Sequence, residues 1–259
     1  MKFSGRHFPK DIILQAVRWY ITYPLSLRMI KEILTERGIT VDHTTINRWV
    51  ITYAPQLEAL HRKQKPAVKT SWRMDETCIK VKARDFYLYR AVDQEGNTVD
   101  FLLTKKRDKK AAKAFFRKAI RQHGQPEKVS IDKSGSNISA LTSINTTLKD
   151  KEPKITIYQS KYLNNIVEQD HRFVKRITRT MMQFKGFYSA RATLAGIALS
   201  HMPRKGANIQ ILSQRSRGST FTLWRHNCVW RILSFGLSEN LQQNLPISFP
   251  AKHLLPSAR

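Results

Sequence analysis

"WRMDETCIKVK" at residues 72–82 is followed by "DFYLYRAVD" (85–93) and "TVDFLLTK" (98–105), three runs rich in β-branched and aromatic residues. Their connections are short, and "QEGN" at 94–97 has the composition of a turn, so the runs are expected to pair as sequential antiparallel strands. The period then changes. "DKKAAKAFFRKAIRQHG" (108–124) places Ala112, Phe115, Phe116 and Ala119 on one helical face, with Gly124 and Pro126 as the stop. A strand "KVSID" (128–132), a helix in "ISALTSINTTLK" (138–149), a strand "KITIY" (154–158) and a long helix over 161–182 complete the pattern. The order βββαβαβα predicts an α/β domain, a mixed sheet flanked by helices.

Three helices are expected upstream of this sheet. "KDIILQAVRWYIT" (10–22) carries Ile13, Val17 and Tyr20 at helical spacing before Pro24. "SLRMIKEILTER" (26–37) opens with Ser26 as a cap, lines up Leu27, Ile30, Ile33 and Leu34, and meets Gly38. In "DHTTINRWVITYAP" (42–55) Asp42 caps, Ile46, Val50 and Tyr53 face inward, and Pro55 is expected to close the helix. A helix, a Gly-containing turn and a second helix form the helix-turn-helix pattern. The exposed face of its second member offers His43, Thr44, Thr45, Asn47 and Arg48, groups able to meet phosphates and base edges of double-stranded DNA. A purely structural three-helix bundle is the competing reading. Trp19 and Trp49, among apolar neighbours, read as core. The polar, basic stretch "HRKQKPAVKT" (61–70) reads as a linker.

Charge narrows the choice of partner. The chain has 259 residues, with 46 Lys and Arg against 19 Asp and Glu, a net charge of +27. Phosphates neutralised by such a surface release counterions, which favours nucleic acid binding. No run of about 20 apolar residues is present, and "MKFSGRHFPKDIIL" lacks the apolar core of a signal peptide, so a cytoplasmic, nucleoid-associated protein with no membrane partner is expected. Cys78 and Cys228 form no CxxC pair, which supports neither a disulfide framework nor a cysteine zinc site.

In so basic a chain three acids stand out. Asp75 lies within the first strand, Asp132 ends the fourth, and Glu168 sits on the helix after the fifth. Carboxylates on neighbouring strands, about 4.8 Å apart, and on a facing helix can converge on hard cations. Two Mg²⁺ held there, with Mn²⁺ able to substitute, would stabilise the attacking and leaving oxygens of a phosphoryl transfer. Taken singly, each acid also has a bland reading: Asp75 as a solvent-facing strand charge, Asp132 as a turn residue, Glu168 as a partner of Arg172. Lys175, seven residues after Glu168, shares its helix face and suits a DNA phosphate. His171 reads as a structural or helix-surface residue, with contact to DNA or to a ligating carboxylate as the alternatives. Asn164 and Asn165 either cap the helix or contact DNA. The run "KKRDKK" (105–110) reads as an exposed face, with attraction of the DNA backbone as the other reading.

Four motifs together, "MDET" (74–77), "YLYRAVD" (87–93), "IDKSGSN" (131–137) and "KYLNNIVEQDHRFVKR" (161–176), resemble the DDE transposases of insertion-sequence family six, and the likeness extends from "GRHFPKDIILQAVRWY" to "HMPRKG" (201–206). The resemblance implies a helix-turn-helix domain over 1–60 that binds terminal inverted repeats, a linker at 61–70 and a ribonuclease-H-like catalytic domain over 71–205. It assigns the acid triad, as metal ligands and catalytic residues, to Asp75, Asp132 and Glu168, and the basic residue of the last motif to Lys175. It further implies divalent-metal cleavage of element ends, strand transfer of the 3′-hydroxyls into target DNA, and a homodimer on DNA. A catalytically silent DNA-binding derivative that represses or competes for element ends is the alternative, and a nuclease without strand transfer a third reading.

Residues 206–259 depart from the family pattern. They hold one acid, Glu239, no clear period, and 20 Ser, Leu and Arg among 54 residues. Residues with six codons become frequent in a shifted frame, so this divergent tail reads as disordered or frame-shifted sequence.

Overall fold

The computed structural model describes residues 1, 3, 7–63, 67–132, 135–148, 153–160 and 165–214, with side chains as far as residue 201. The chain divides into two compact units, Met1–Ile209 and Gln210–Arg259, and the architecture below belongs to the first.

The three N-terminal helices form as expected: α1 (Lys10–Thr22), α2 (Leu27–Thr35) and α3 (His43–Arg62). Ser26 caps α2 by accepting from the Met29 amide at 3.2 Å, and Asp42 caps α3 by accepting from the Thr44 amide at 2.9 Å. After α2 the chain turns at Gly38, whose φ of 74° lies in the left-handed region that glycine enters without a side-chain clash. Ile13, Val17 and Tyr20 of α1, Ile30 and Leu34 of α2, and Ile46, Val50 and Tyr53 of α3 are all buried, whereas Leu27 and Ile33 are half-buried. Trp49 is core, as expected, in edge contact with Phe8 at 5.2 Å. Trp19 is half-buried and carries the Arg37 guanidinium over its ring.

Pro55 does not end α3, contrary to expectation. The helix runs through it to Arg62, so the segment expected to be linker from residue 61 begins inside the helix. Burial of Ala54 and Leu57 and the Glu58–Arg62 ion pair hold the second half of the helix in place despite the one hydrogen bond that proline removes.

The sheet has the order β3-β2-β1-β4-β5. β1 (Ser71–Val81), β2 (Arg84–Asp93) and β3 (Thr98–Thr104) are antiparallel, while β4 (Lys128–Ile131) and β5 (Thr156–Gln159) run parallel to β1. This is the mixed sheet expected from the sequence. Side chains alternate along β1. Trp72 and Met74 join Ala91, Val129 and Ile131 in a core closed by α4 (Lys109–His123) and α5 (Gly135–Asn145). Ala112, Phe115, Phe116 and Ala119, the expected face of α4, are fully buried there.

The opposite face is covered by α6 (Asn165–Arg179). Residues 161–164, where the sequence pattern starts this helix, lie outside the described residues, Asn164 among them. The helix ends at Arg179, three residues short of the expected end.

A last helix, α7 (Phe187–Gln214), runs into the segment read as tail; residues 215–259 lie outside the described residues. Its small residues let it pack closely. A Cβ on Gly196 would stand 2.7 Å from Ile21 Cγ2 and 2.9 Å from the Ala54 methyl, so the absence of a side chain permits close contact with α1 and α3. Ser200 donates to the Ile21 carbonyl at 2.8 Å, which fixes the same contact.

Candidate active site

The sheet register brings the two strand acids together. β1 and β4 pair in parallel as Ser71↔Lys128, Trp72↔Val129 and Arg73↔Ser130, an offset of 57 residues (128 minus 71). Asp75 and Asp132 are separated by the same 57 residues, so continuing the register just beyond Ile131 sets them side by side, at the roughly 4.8 Å spacing of neighbouring strands. Both carboxylates are partly open to solvent, Asp75 at 21% and Asp132 at 34% of the side chain.

Helix α6 is tied to this face at three levels. Arg90 stands opposite Asp75 on β2 and reaches back to α6, where Nε donates to Asp170 Oδ2 at 3.0 Å; both side chains are 1% exposed. Arg90 Nη2 also donates to the Thr98 hydroxyl at 2.8 Å, so the buried charges are paired and hydrogen-bonded. One residue on, His171 is buried with Nδ1 3.5 Å from Asp75 Oδ2, while Nε2 finds no hydrogen-bond partner among the described residues. Further along, Lys175 lies close enough to Cys78 to bear on its thiol. Burial first, and then the Asp85 carboxylate, push that thiol up, and Lys80 and Lys175 offset part of the rise. From His171 at Asp75 to Lys175 near Cys78, α6 thus runs alongside β1 in the same sense.

Glu168 is half-buried one turn before His171, at the edge of the helix face that packs on the sheet. Among the described residues no three His, Cys, Asp or Glu side chains already surround one point. The donors themselves suit a hard divalent ion: carboxylate oxygens, two of them on adjacent strand positions and open to solvent.

Glu76, Arg107 and Asn137 were not singled out as site residues by sequence reasoning. Glu76 is buried on the face opposite Asp75, where it accepts from Arg107 Nε and from Asn137 Nδ2 at 3.0 Å. Arg107, through Nη2, and Asn137, through Nδ2, also reach Asp132, each at 3.4 Å. Arg107 belongs to the run read as an exposed face and is exposed, and in addition it makes ion pairs with Glu76 and Asp132. His171 is buried beside the Asp75 carboxylate, as one of its readings had it, and is not on the helix surface. The local signal for both was a lone acid adjacent to Asp75 and a histidine adjacent to an acid on the buried side of α6.

On α3, His43 and Thr45 are half-exposed, Thr44 and Arg48 exposed and Asn47 half-buried, all within its first two turns. His43 Nδ1 lies 3.0 Å from Asp42 Oδ1, the Thr44 hydroxyl donates to Oδ2, and Arg48 Nη2 donates to the Thr45 hydroxyl at 3.3 Å. No described helix is long and apolar enough to cross a membrane.

The chain is similar to several known proteins. A family model described as "DDE domain" matches residues 69–207, more than half of the chain, and one described as "Transposase IS66 family" matches residues 10–126. The transposase for insertion sequence-like element IS431mec of Staphylococcus aureus is 44% identical over 196 residues, 75% of this chain and 85% of that protein. The transposase for insertion sequence element IS257 in transposon Tn4003, also from Staphylococcus aureus, is 43% identical over the same shares of each. Among solved structures, the HTLV-2 integrase catalytic core domain in complex with magnesium is 19% identical with a TM-score of 0.35, covering 43% of this chain and 70% of that chain. With its DDE domain and these relatives, the chain belongs to the DDE transposases of insertion-sequence family six.

Proposed function

We propose that the protein binds the terminal inverted repeats of an insertion sequence, frees 3′-hydroxyl ends there and joins them to target DNA, with Asp75, Asp132 and Glu168 as ligands for Mg²⁺ or Mn²⁺. The observation that supports this reading is the side-by-side register of Asp75 and Asp132 under a helix that carries Glu168 and touches Asp75 through His171. Ions bound by the three carboxylates would activate the attacking oxygen and stabilise the leaving one in an in-line displacement.

The chain's own groups do the remaining work. His171 steadies the Asp75 carboxylate from the helix side. The Arg90–Asp170 pair holds α6 on the sheet, and so fixes the height of Glu168, two residues before Asp170. Lys175, exposed two turns beyond Glu168, receives a DNA phosphate. His43, Thr44, Thr45, Asn47 and Arg48 meet the inverted repeat from the first turns of α3, which in this reading is the recognition helix of a helix-turn-helix domain over residues 1–60. The catalytic domain spans 71–205, and two copies of the chain hold two element ends.

The test uses the purified chain, a duplex carrying one inverted repeat with flanking DNA, and a supercoiled target plasmid. With Mg²⁺ the reading expects a nick at the repeat boundary and covalent joining of the end to the plasmid. Nicking without joining would reduce the protein to a nuclease, and binding without nicking would favour the silent DNA-binding derivative.

A further inference from the structure

Arg107 occupies an unusual place for a residue of a basic loop. It lies between β3 and α4, immediately before Asp108, which caps α4 by accepting from the Ala111 amide at 2.8 Å, so its backbone is fixed by the start of that helix. Its Nε is bonded to Glu76, whose side chain is 1% exposed, yet its own side chain remains 44% exposed. The guanidinium is therefore anchored by one edge in the interior and open along the other.

On the open side stands Asp132. Arg107 Nη2 approaches Asp132 Oδ2 at 3.4 Å, a long contact compared with the 2.7–2.9 Å of a well-made bond between charged groups. Asn137, fully buried, links the same two acids from beneath, at 3.0 Å to Glu76 and 3.4 Å to Asp132. Partial burial alone would lower the pKa of Arg107, but the Glu76 bond and the charges of Glu76, Asp132 and Asp75 raise it above its ordinary value, so it stays a cation. Compensation of Glu76 would be complete with a buried cation. An exposed planar fork beside one of two adjacent strand carboxylates has a second use.

We infer that Arg107 is a phosphate-binding residue of this site, seated on Glu76 and Asn137 and contacting a non-bridging oxygen of the DNA phosphodiester at the repeat boundary. The inference rests on the proposed function. In the DNA-free protein the Asp132 carboxylate stands where the phosphate oxygens go, the two anions being alternative partners of one guanidinium edge. Arrival of the phosphodiester takes Arg107 from Asp132, which leaves that carboxylate available as a metal ligand.

The experiment measures binding of the full chain to repeat-end duplexes in EDTA, so that no cutting is needed. One duplex is natural and the other carries a single uncharged methylphosphonate at the boundary. The variant is Glu76→Gln with Arg107→Gln, which removes the arginine without leaving a buried charge alone. Unmodified protein is expected to lose roughly tenfold in affinity on the neutral linkage, the scale of one charge-assisted hydrogen bond. The double variant is expected to bind natural DNA weaker by a similar factor, to be indifferent to the methylphosphonate, and to have a salt dependence reduced by about one phosphate contact.

Equal sensitivity of variant and unmodified protein to the methylphosphonate would overturn the inference, as would unchanged affinity of the variant for natural DNA. Arg107→Lys, which keeps a cation beside Glu76, covers the case in which the double variant does not fold; it is expected to lose part of the methylphosphonate sensitivity, and full sensitivity would count against the role. Protein that binds repeat ends no better than random DNA would remove the functional reading and this inference together. Good end binding without the Arg107 coupling would remove this inference alone.

Discussion

Asp75 on β1 and Asp132, the residue that follows β4, are 57 residues apart, the same offset as the parallel β1–β4 register, so that register carried two positions onward sets them level. Two adjacent carboxylates repel one another unless a cation lies between them. Divalent metal is therefore expected to stabilise the fold: at a hundred times Kd, linkage gives about 2.7 kcal/mol, visible as a rise in Tm. Asp75→Asn and Asp132→Asn should each abolish most of that rise. Thermal melts with and without Mg²⁺ check it, and an equal rise in the variants would exclude these acids as ligands.

The Arg90–Asp170 pair joins β2 to α6 in the interior. Removal of one partner leaves a buried charge uncompensated, so Asp170→Leu should cost about 3–5 kcal/mol. Arg90→Met combined with Asp170→Leu should cost distinctly less than the single change. Urea unfolding of the three proteins measures the difference; an additive result would mean that the pair is not the clamp on α6.

Gly196 packs directly against Ile21 of α1 and Ala54 of α3. Gly196→Ala places a methyl within 3 Å of both Ile21 and Ala54, an overpacking expected to destabilise by about 1–3 kcal/mol. Denaturant midpoints test this. An unchanged or raised midpoint would show that α7 has room to shift away.

Asp42 supplies a pH dependence. Its bonds from the Thr44 hydroxyl and amide lower its pKa from 3.8 to about 2. The folded form thus binds this proton less readily than the unfolded chain, so the cap contributes fully above about pH 4 and its contribution is lost as pH falls through about 2. Asp42→Ser keeps a capping oxygen without the carboxyl, and should flatten the acid limb of stability in that window. An identical acid limb in the two proteins would contradict it.

The elements that the sequence made legible are those decided locally. The buried face of α4 follows from the spacing of Ala112, Phe115, Phe116 and Ala119, and the ends of α2 from Ser26 and Gly38. Even the level pairing of Asp75 and Asp132 was implicit in their spacing once both strands were assigned. The interactions that were not legible depend on contacts between distant segments. Arg107 looks like its basic neighbours until Glu76, 31 residues away, is seen beneath it. His171 looks like a polar helix residue until Asp75, 96 residues away, is seen beside it. Pro55 reads as a stop because local propensity disfavours it, yet packing of Ala54 and Leu57 carries the helix past. Residues 192–200 of α7 are all buried, so this stretch has no exposed polar face and no amphipathic period announced it.

In the proposed function Asp75, Asp132 and Glu168 act together on DNA, and Glu168 is the decisive member because it comes from a different element. The measurement is strand transfer of a pre-cut repeat end into plasmid DNA in Mg²⁺ by Glu168→Ala, alongside its affinity for the same end. Joined product should fall by at least about a thousandfold, on the scale of several kcal/mol of lost transition-state stabilisation, with end binding close to that of the unmodified protein. Strand transfer at the unmodified rate by Glu168→Ala would contradict the account.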